Sequence, residues 1–238
     1  MSWQASFQGR ARLPLGMALV AVVAGCGSVQ NVPIRDRESA AGSVRATFHG
    51  TSGTRPSGPG VEVGYEHYTA KDTQVLGVGE SVLLDGGSFF GLDTLRHKAK
   101  MQYGYIAYNH RLRFGDHFEL EPFIGAARVQ LKLRTTPNSG VTTTTLNDSD
   151  TGFIGGVTPR WRFNDRVAVE ARLSYLHTSA WASGSTYEAA LVLSPLPQVA
   201  LRLGYSDRRH DIEPLVPGAA SEVNIRARGP MATLQFGF

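Results

Sequence analysis

The sequence predicts an all-β chain folded as an eight-stranded antiparallel up-and-down transmembrane β-barrel, and three observations predict it. The stretch from Gly152 to Tyr175 alternates apolar with small or charged residues on both sides of a tight Asn164-Asp165 turn, which is the pattern of a β-hairpin. Similar period-two stretches recur along the chain, joined by connections that are alternately short and long. The last of them ends on an aromatic residue, Phe238. One hairpin with an apolar and a charged face fits a soluble sandwich as well as a membrane barrel. Its repetition, with long and short connections sorted to opposite ends, favours the barrel, with apolar faces toward lipid and charged faces toward the lumen.

Residues 1–25 read as a secretory signal peptide. They contain no acidic residue, a basic start ending at Arg10 and Arg12, and an apolar run from Leu13 to Ala24. Cys26 is the only cysteine, so no internal disulfide is expected. Residues 26–60 are polar and broken by Gly, Ser and Pro, and read as a tether or periplasmic extension. A brief alternation from Val44 to Phe48 within them could add a short strand. Residues 61–238 are expected to form the barrel.

The expected strands start with Val61 to Thr69, where Val61, Val63 and Tyr65 oppose Glu62, Gly64 and Glu66. In Lys98 to Phe114, Met101, Tyr103, Tyr105 and Ala107 oppose Lys100, Gln102 and Gly104. In Phe118 to Arg134, Val129, Leu131 and Leu133 oppose Arg128, Gln130, Lys132 and Arg134. The Gly152 to Tyr175 hairpin supplies two more, followed by Tyr187 to Ser194, Val199 to Ser206 and Glu222 to Phe238. Tight turns are expected at Phe114 to His117, Asn164-Asp165 and Ser194 to Gln198, and long loops at about 70–97, 135–151, 177–186 and 207–221. In the last strand the apolar parity switches near Gly229-Pro230, which a bulge or an upper half standing above the bilayer would explain.

Composition narrows the class further. The 238 residues are 42% hydrophobic and 18% charged, with 27 glycines. No run approaches the roughly 18 apolar residues of a membrane-spanning helix, whereas a spanning strand needs only about 9–11 residues. The net charge of +4 and pI near 9.4 come from scattered Lys and Arg with no contiguous run, so nucleic acid is not an expected partner. By alternation the lumen would receive Glu62, Glu66, Lys100, Arg128, Lys132, Arg160, Arg162, Glu170, Arg172, Glu188 and Arg202. Both signs in so narrow a space should pair and plug the barrel, against a porin-like channel. The seven histidines show no ligand spacing, and neither metal nor cofactor is expected.

Several motifs carry resemblances. Val23-Ala24-Gly25-Cys26 resembles the lipobox of bacterial lipoproteins, which implies acylation at Cys26. Glu121-Pro122-Phe123-Ile124-Gly125-Ala126-Ala127 and the closing Met231 to Phe238 resemble small outer-membrane barrels of the OmpA-like and OmpX-like superfamily. That resemblance implies a Gram-negative outer-membrane location among lipopolysaccharide; the oligomeric state is left open, with a monomer expected. It also implies an insertion signal at Leu234, Phe236 and Phe238, read by the barrel-insertion machinery. It implies no chemistry, so the leading expectation is a non-enzymatic barrel that supports the membrane or presents surface loops. The alternative starts from Leu176-His177-Thr178-Ser179, which resembles the His-x-Ser pair of the lipid A deacylase family. On that reading Ser179 is the nucleophile, His177 its base and Glu188 the available acid.

Overall fold

The computed structural model describes residues 28–49, 57–84, 87–140, 143–179, 182–213 and 221–237, and every element in it is a β-strand. The strands are β1 (Ser28–Val29), β2 (Val32–Asp36), β3 (Ala41–His49), β4 (Gly58–Val75), β5 (Glu80–Leu84), β6 (Gly87–Phe90) and β7 (Thr94–Phe114). They continue with β8 (Phe118–Pro137), β9 (Thr144–Arg162), β10 (Val167–Thr178), β11 (Ala182–Leu196), β12 (Val199–Ile212) and β13 (Val223–Gly237).

Nine of these close a barrel in the order β3, β4, β7, β8, β9, β10, β11, β12, β13. All neighbours are antiparallel except the closing pair, in which β13 runs parallel to β3 from Met231 opposite Ala41 to Gly237 opposite Thr47. The expected eight-stranded antiparallel barrel is thus corrected to nine staves with one parallel seam. The ninth is β3, carried by the alternation Val44-Arg45-Ala46-Thr47-Phe48 inside the stretch expected to be a tether. Upstream, β2 adds a further parallel pairing to β13, from Val32 opposite Val223 to Asp36 opposite Ala227. Between the two pairings the N-terminal side takes five steps, 36 to 41, against four on β13, 227 to 231. That extra residue is a bulge. A side chain at Gly229 would meet the Ser39 backbone 2.3 Å away, so the bulge needs a glycine opposite it.

The barrel has two unlike ends. The lower end carries the turns at 115–117, 163–166 and 197–198, the first opened by Gly115 at φ +69°. The upper end carries the connections at 76–93, 138–143, 179–181 and 213–222, each shorter than the expected loops at 70–97, 135–151, 177–186 and 207–221 because the strands continue into those stretches. The lower end also carries the connection at 50–57, so length does not sort cleanly between the ends. In the longest upper connection β5 and β6 form a hairpin. Val82, Leu84 and Phe89 of that hairpin are buried. Leu83 exchanges two hydrogen bonds with Ser221, just before β13, and Gly87 packs against Thr144 at the start of β9, on the other side of the ring. The hairpin therefore caps the upper mouth.

Polarity inverts along the staves while the alternation of side chains holds. In the lower half the outward positions are apolar: Val61, Val63 and Tyr65 on β4, Ile106 and Tyr108 on β7, Leu120 and Ile124 on β8, Leu201, Leu203 and Tyr205 on β12. Ile124 is 63% exposed. In the upper half the outward positions become polar, starting at His67, Gln102, Arg128, Thr151, His177 and Asp207. The inward positions there become apolar, with Leu95, Ala99, Met101, Val129, Leu131 and Leu133 in one core with Ile34, Ile212 and Ile225. This also explains the parity switch in β13. That strand keeps unbroken register with β12 from Val223 to Phe236, so no bulge interrupts it and only its surroundings change. The expected strand patterns of β7 and β8 are corrected in the same way: Met101, Tyr103, Tyr105, Val129, Leu131 and Leu133 point inward.

Candidate functional site

The inward side chains of the lower half form a network of arginines and glutamates below the apolar core. Glu188, on β11, lies among three guanidinium groups: Arg45 Nη2 at 2.9 Å, Arg202 Nη2 at 3.4 Å and Arg208 Nη2 at 3.5 Å. Arg45 and Arg208 also reach Glu66 Oε1, at 3.3 and 3.6 Å. Arg202 continues to Glu170, which Arg160 grips through Nε at 2.8 Å. Nearer the lower mouth, Glu119 takes Arg162 Nε at 2.8 Å, and Glu121 takes Arg111 Nε and Asn109 Nδ2, both at 2.8 Å. The named cations are all arginines. A planar fork of five donors can bridge two carboxylates where an ammonium supplies a single point charge.

A second cluster is built around Glu62. Tyr105 donates its hydroxyl to Glu62 Oε1 at 2.6 Å, and Arg172 Nη2 donates to the same oxygen at 2.8 Å. The Arg172 guanidinium stacks on the Phe123 ring, 3.8 Å from its centre. The Tyr105 ring lies over Gly64, where an added Cβ would sit 2.3 Å from it, so Gly64 makes room for the phenol.

Of the predicted lumen charges, Glu62, Glu66, Glu170, Arg172, Glu188 and Arg202 are buried inside, with Arg160 and Arg162 inward near the lower mouth. Lys100, Arg128 and Lys132 are corrected. They are exposed on the outer wall, because they lie above the level where polarity inverts. The expected strand patterns missed Arg45, Arg111, Glu119, Glu121 and Arg208. Arg45 and Arg208 fell in stretches read as tether and loop, and the signal that could have found Arg45 was the short alternation from Val44 to Phe48.

The lower mouth opens into a cavity of about 810 Å³ lined by Thr47, His49, Arg111, Arg160, Arg162 and Gln198 among others. The arginines next to it are engaged with Glu119, Glu121 and Glu170, and the cap and apolar core close the upper half. Among the described residues no three His, Cys, Asp or Glu side chains converge as metal ligands.

His177 and Ser179 are not joined by a hydrogen bond. His177 stands outward near the polarity boundary, stacked on Tyr175 at 6.5 Å and tilted against Phe153 at 5.4 Å. The Ser179 hydroxyl donates to Asp150 Oδ1 at 3.2 Å. Glu188 is buried on the other side of the barrel wall among its arginines, so the three residues of the esterase alternative do not assemble. Leu234 and Phe236 face outward at the lower end of β13, while Cys26 and Phe238 lie outside the described residues. Comparison with protein-family models, with curated proteins and with solved structures finds no match to this chain.

Proposed function

We propose that this protein is a non-enzymatic outer-membrane barrel that contributes to membrane integrity or presents its upper end as an interaction surface. The observation that carries this reading is an outward apolar band at the same height as the buried Arg and Glu network. In water that arrangement would expose the apolar side chains and desolvate the charges, whereas in a bilayer it places each against a suitable neighbour. On β10 the band runs from Val167 to Tyr175, about 20 Å along the barrel axis for tilted strands. Aromatic residues mark its margins. Phe114, Phe118 and Trp161 pack together below, with ring centres 5.8 and 6.4 Å apart, and Tyr65, Tyr175, Tyr187 and Tyr205 stand above.

On this reading the lower turns face the periplasm, and the upper half stands outside the bilayer as a water-exposed barrel with an ordinary apolar core. The filled interior supports a plugged barrel over a pore. Acylation at Cys26 is a separate element of the proposal, read from the signal-peptide motif alone and without support from the fold, in which Ser28 stands at the upper rim against the cap; fatty-acid label that survives Cys26→Ser would remove it. The barrel itself is tested by fractionation and gel migration. The chain should be recovered with outer membranes and should migrate faster unboiled than boiled, because a closed ring resists detergent. Recovery in the soluble fraction with a single migration position would overturn the proposal.

A further inference from the structure

The outer wall above the apolar band is not uniform. On the adjacent staves β4, β7 and β8 the outward positions carry Lys71, Lys98, Lys100, Arg128, Lys132 and Arg134, all exposed. No Asp or Glu occupies an outward position on these three strands, and none of the six pairs with a described carboxylate. Register sets them against one another: Lys98 is opposite Arg134 on one side and Lys71 on the other, and Lys100 is opposite Lys132. Like charges directly across a sheet are destabilising. Solubility alone does not require them, because β9 and β11 face the same water with Thr145, Asn147, Ser149, Thr151, Ser183 and Ser185.

Height gives the occupant. Arg128 is one outward position above Ala126, the last apolar residue of the β8 band, and Arg134 is three further up. With a rise of about 5 Å per two residues along a tilted strand, the charges form tiers from about 5 to about 20 Å above the band. Phosphates of a glycolipid that fills the outer leaflet stand at the lowest tier, and those on its sugars stand above. We propose that the outward face of β4, β7 and β8 binds the phosphate groups of a lipopolysaccharide-type glycolipid. This rests on the outer-membrane reading. The six cations take the place of the divalent ions that otherwise bridge neighbouring phosphates, and bind the glycolipid along one side of the barrel.

The test uses the full mature chain refolded in detergent and in phosphatidylcholine vesicles. Its probes are bisphosphorylated lipid A, the same lipid dephosphorylated, and inorganic phosphate, with bound lipid counted by native mass spectrometry in the presence of EDTA. The bisphosphorylated form should bind at least about tenfold more tightly than the dephosphorylated one, and raising salt to about 0.5 M should weaken it. Lys98→Gln with Lys100→Gln and Lys132→Gln should remove the preference while keeping heat-modifiable migration, since the substitutions relieve repulsion. Equal binding of both lipids, or an unchanged preference in the triple variant, would overturn the site. So would displacement of the lipid by millimolar inorganic phosphate, which would show that a lone phosphate suffices. Vesicle insertion in the same samples reads the barrel separately. Insertion without phosphate preference leaves the outer-membrane reading standing and removes the site, and failure to insert removes both.

Discussion

Asp36 and Asp72 each accept a backbone N–H from the other's strand: Arg35 N donates to Asp72 Oδ2 at 2.7 Å, and Lys71 N donates to Asp36 Oδ2 at 2.9 Å. The upper edge of β4 has no stave beside it once β3 ends, and β2 fills the place without a backbone ladder to β4. Two carboxylates therefore do the work of ladder hydrogen bonds at this seam, helped by Gln74 Nε2 donating to Asn31 O at 3.1 Å. Replacing both aspartates with alanine should raise hydrogen exchange at Arg35 and Lys71 by about tenfold or more, given the usual strength of charge-assisted bonds. Exchange in β10 should not change. Uniform acceleration across the barrel would show that the seam is not a local element.

Glu188 is expected to be the most sensitive carboxylate of the interior. Glu188→Gln leaves Arg45, Arg202 and Arg208 in a buried space with less negative charge, and uncompensated buried charge costs about 3–5 kcal/mol. The unboiled form should unfold at a clearly lower temperature than wild type. Exposed Glu222→Gln serves as the control, and equal behaviour of the two variants would contradict the network's role.

The upper half should respond to acid through His97. Its ring is buried above the apolar band, between Thr135 Oγ1 at 2.9 Å and Gln74 Oε1 at 3.2 Å. Burial lowers its pKa to about 4, with the Asp72 carboxylate acting weakly in the other direction. The folded chain thus binds fewer protons than the unfolded one, so the contribution of neutral His97 is complete above the unfolded value of about 6.5. It is lost progressively as pH falls from there toward about 4. The midpoint for unfolding should drop across that window in wild type and less steeply in His97→Gln. Parallel curves would rule out His97 as the source.

Ser179→Ala should leave lipid A unaltered. The Ser179 hydroxyl is directed at Asp150, and Glu188 is on the other side of the wall from His177. Mass spectra of lipid A from cells expressing wild type or variant should be the same as from cells lacking the protein. An acyl chain lost in wild type and restored in Ser179→Ala would establish the esterase instead.

The lower barrel was largely legible in the sequence, because there the outward stripes Val61-Val63-Tyr65 and Val169-Leu173-Tyr175 and the inward Glu62, Glu170, Arg172 and Arg202 obey one rule. The rule fails above Ala126 and Tyr65, where the outward positions turn polar, the inward ones turn apolar, and Lys100 and Arg128 move to the outer wall. Alternation alone has two solutions related by exchanging inside and outside. Only continuity of register along a strand, as across Gly104 to Ile106 in β7, selects between them. The ninth stave was too short, and too embedded in turn-rich sequence, to count as more than a weak signal. The parallel partner that stabilises it, Met231 to Gly237, is nearly two hundred residues away.

The parallel seam also fixes at which rims the chain enters and leaves the barrel. With β3 and β13 both descending, the path enters the barrel at its upper rim, where Ser28 pairs with Glu80 of the cap, and leaves at the lower rim, where Gly237 donates to Gln198. An even number of staves would return both ends to one compartment, and nine do not. In the proposed orientation, an epitope placed just ahead of Ser28 should be reached by antibody on intact cells, and one placed after Gly237 only after permeabilisation. On that reading β1 and β2 would have to be carried across the bilayer before the ring closes beside them. Export of the strands that precede the barrel would become an obligatory step of assembly.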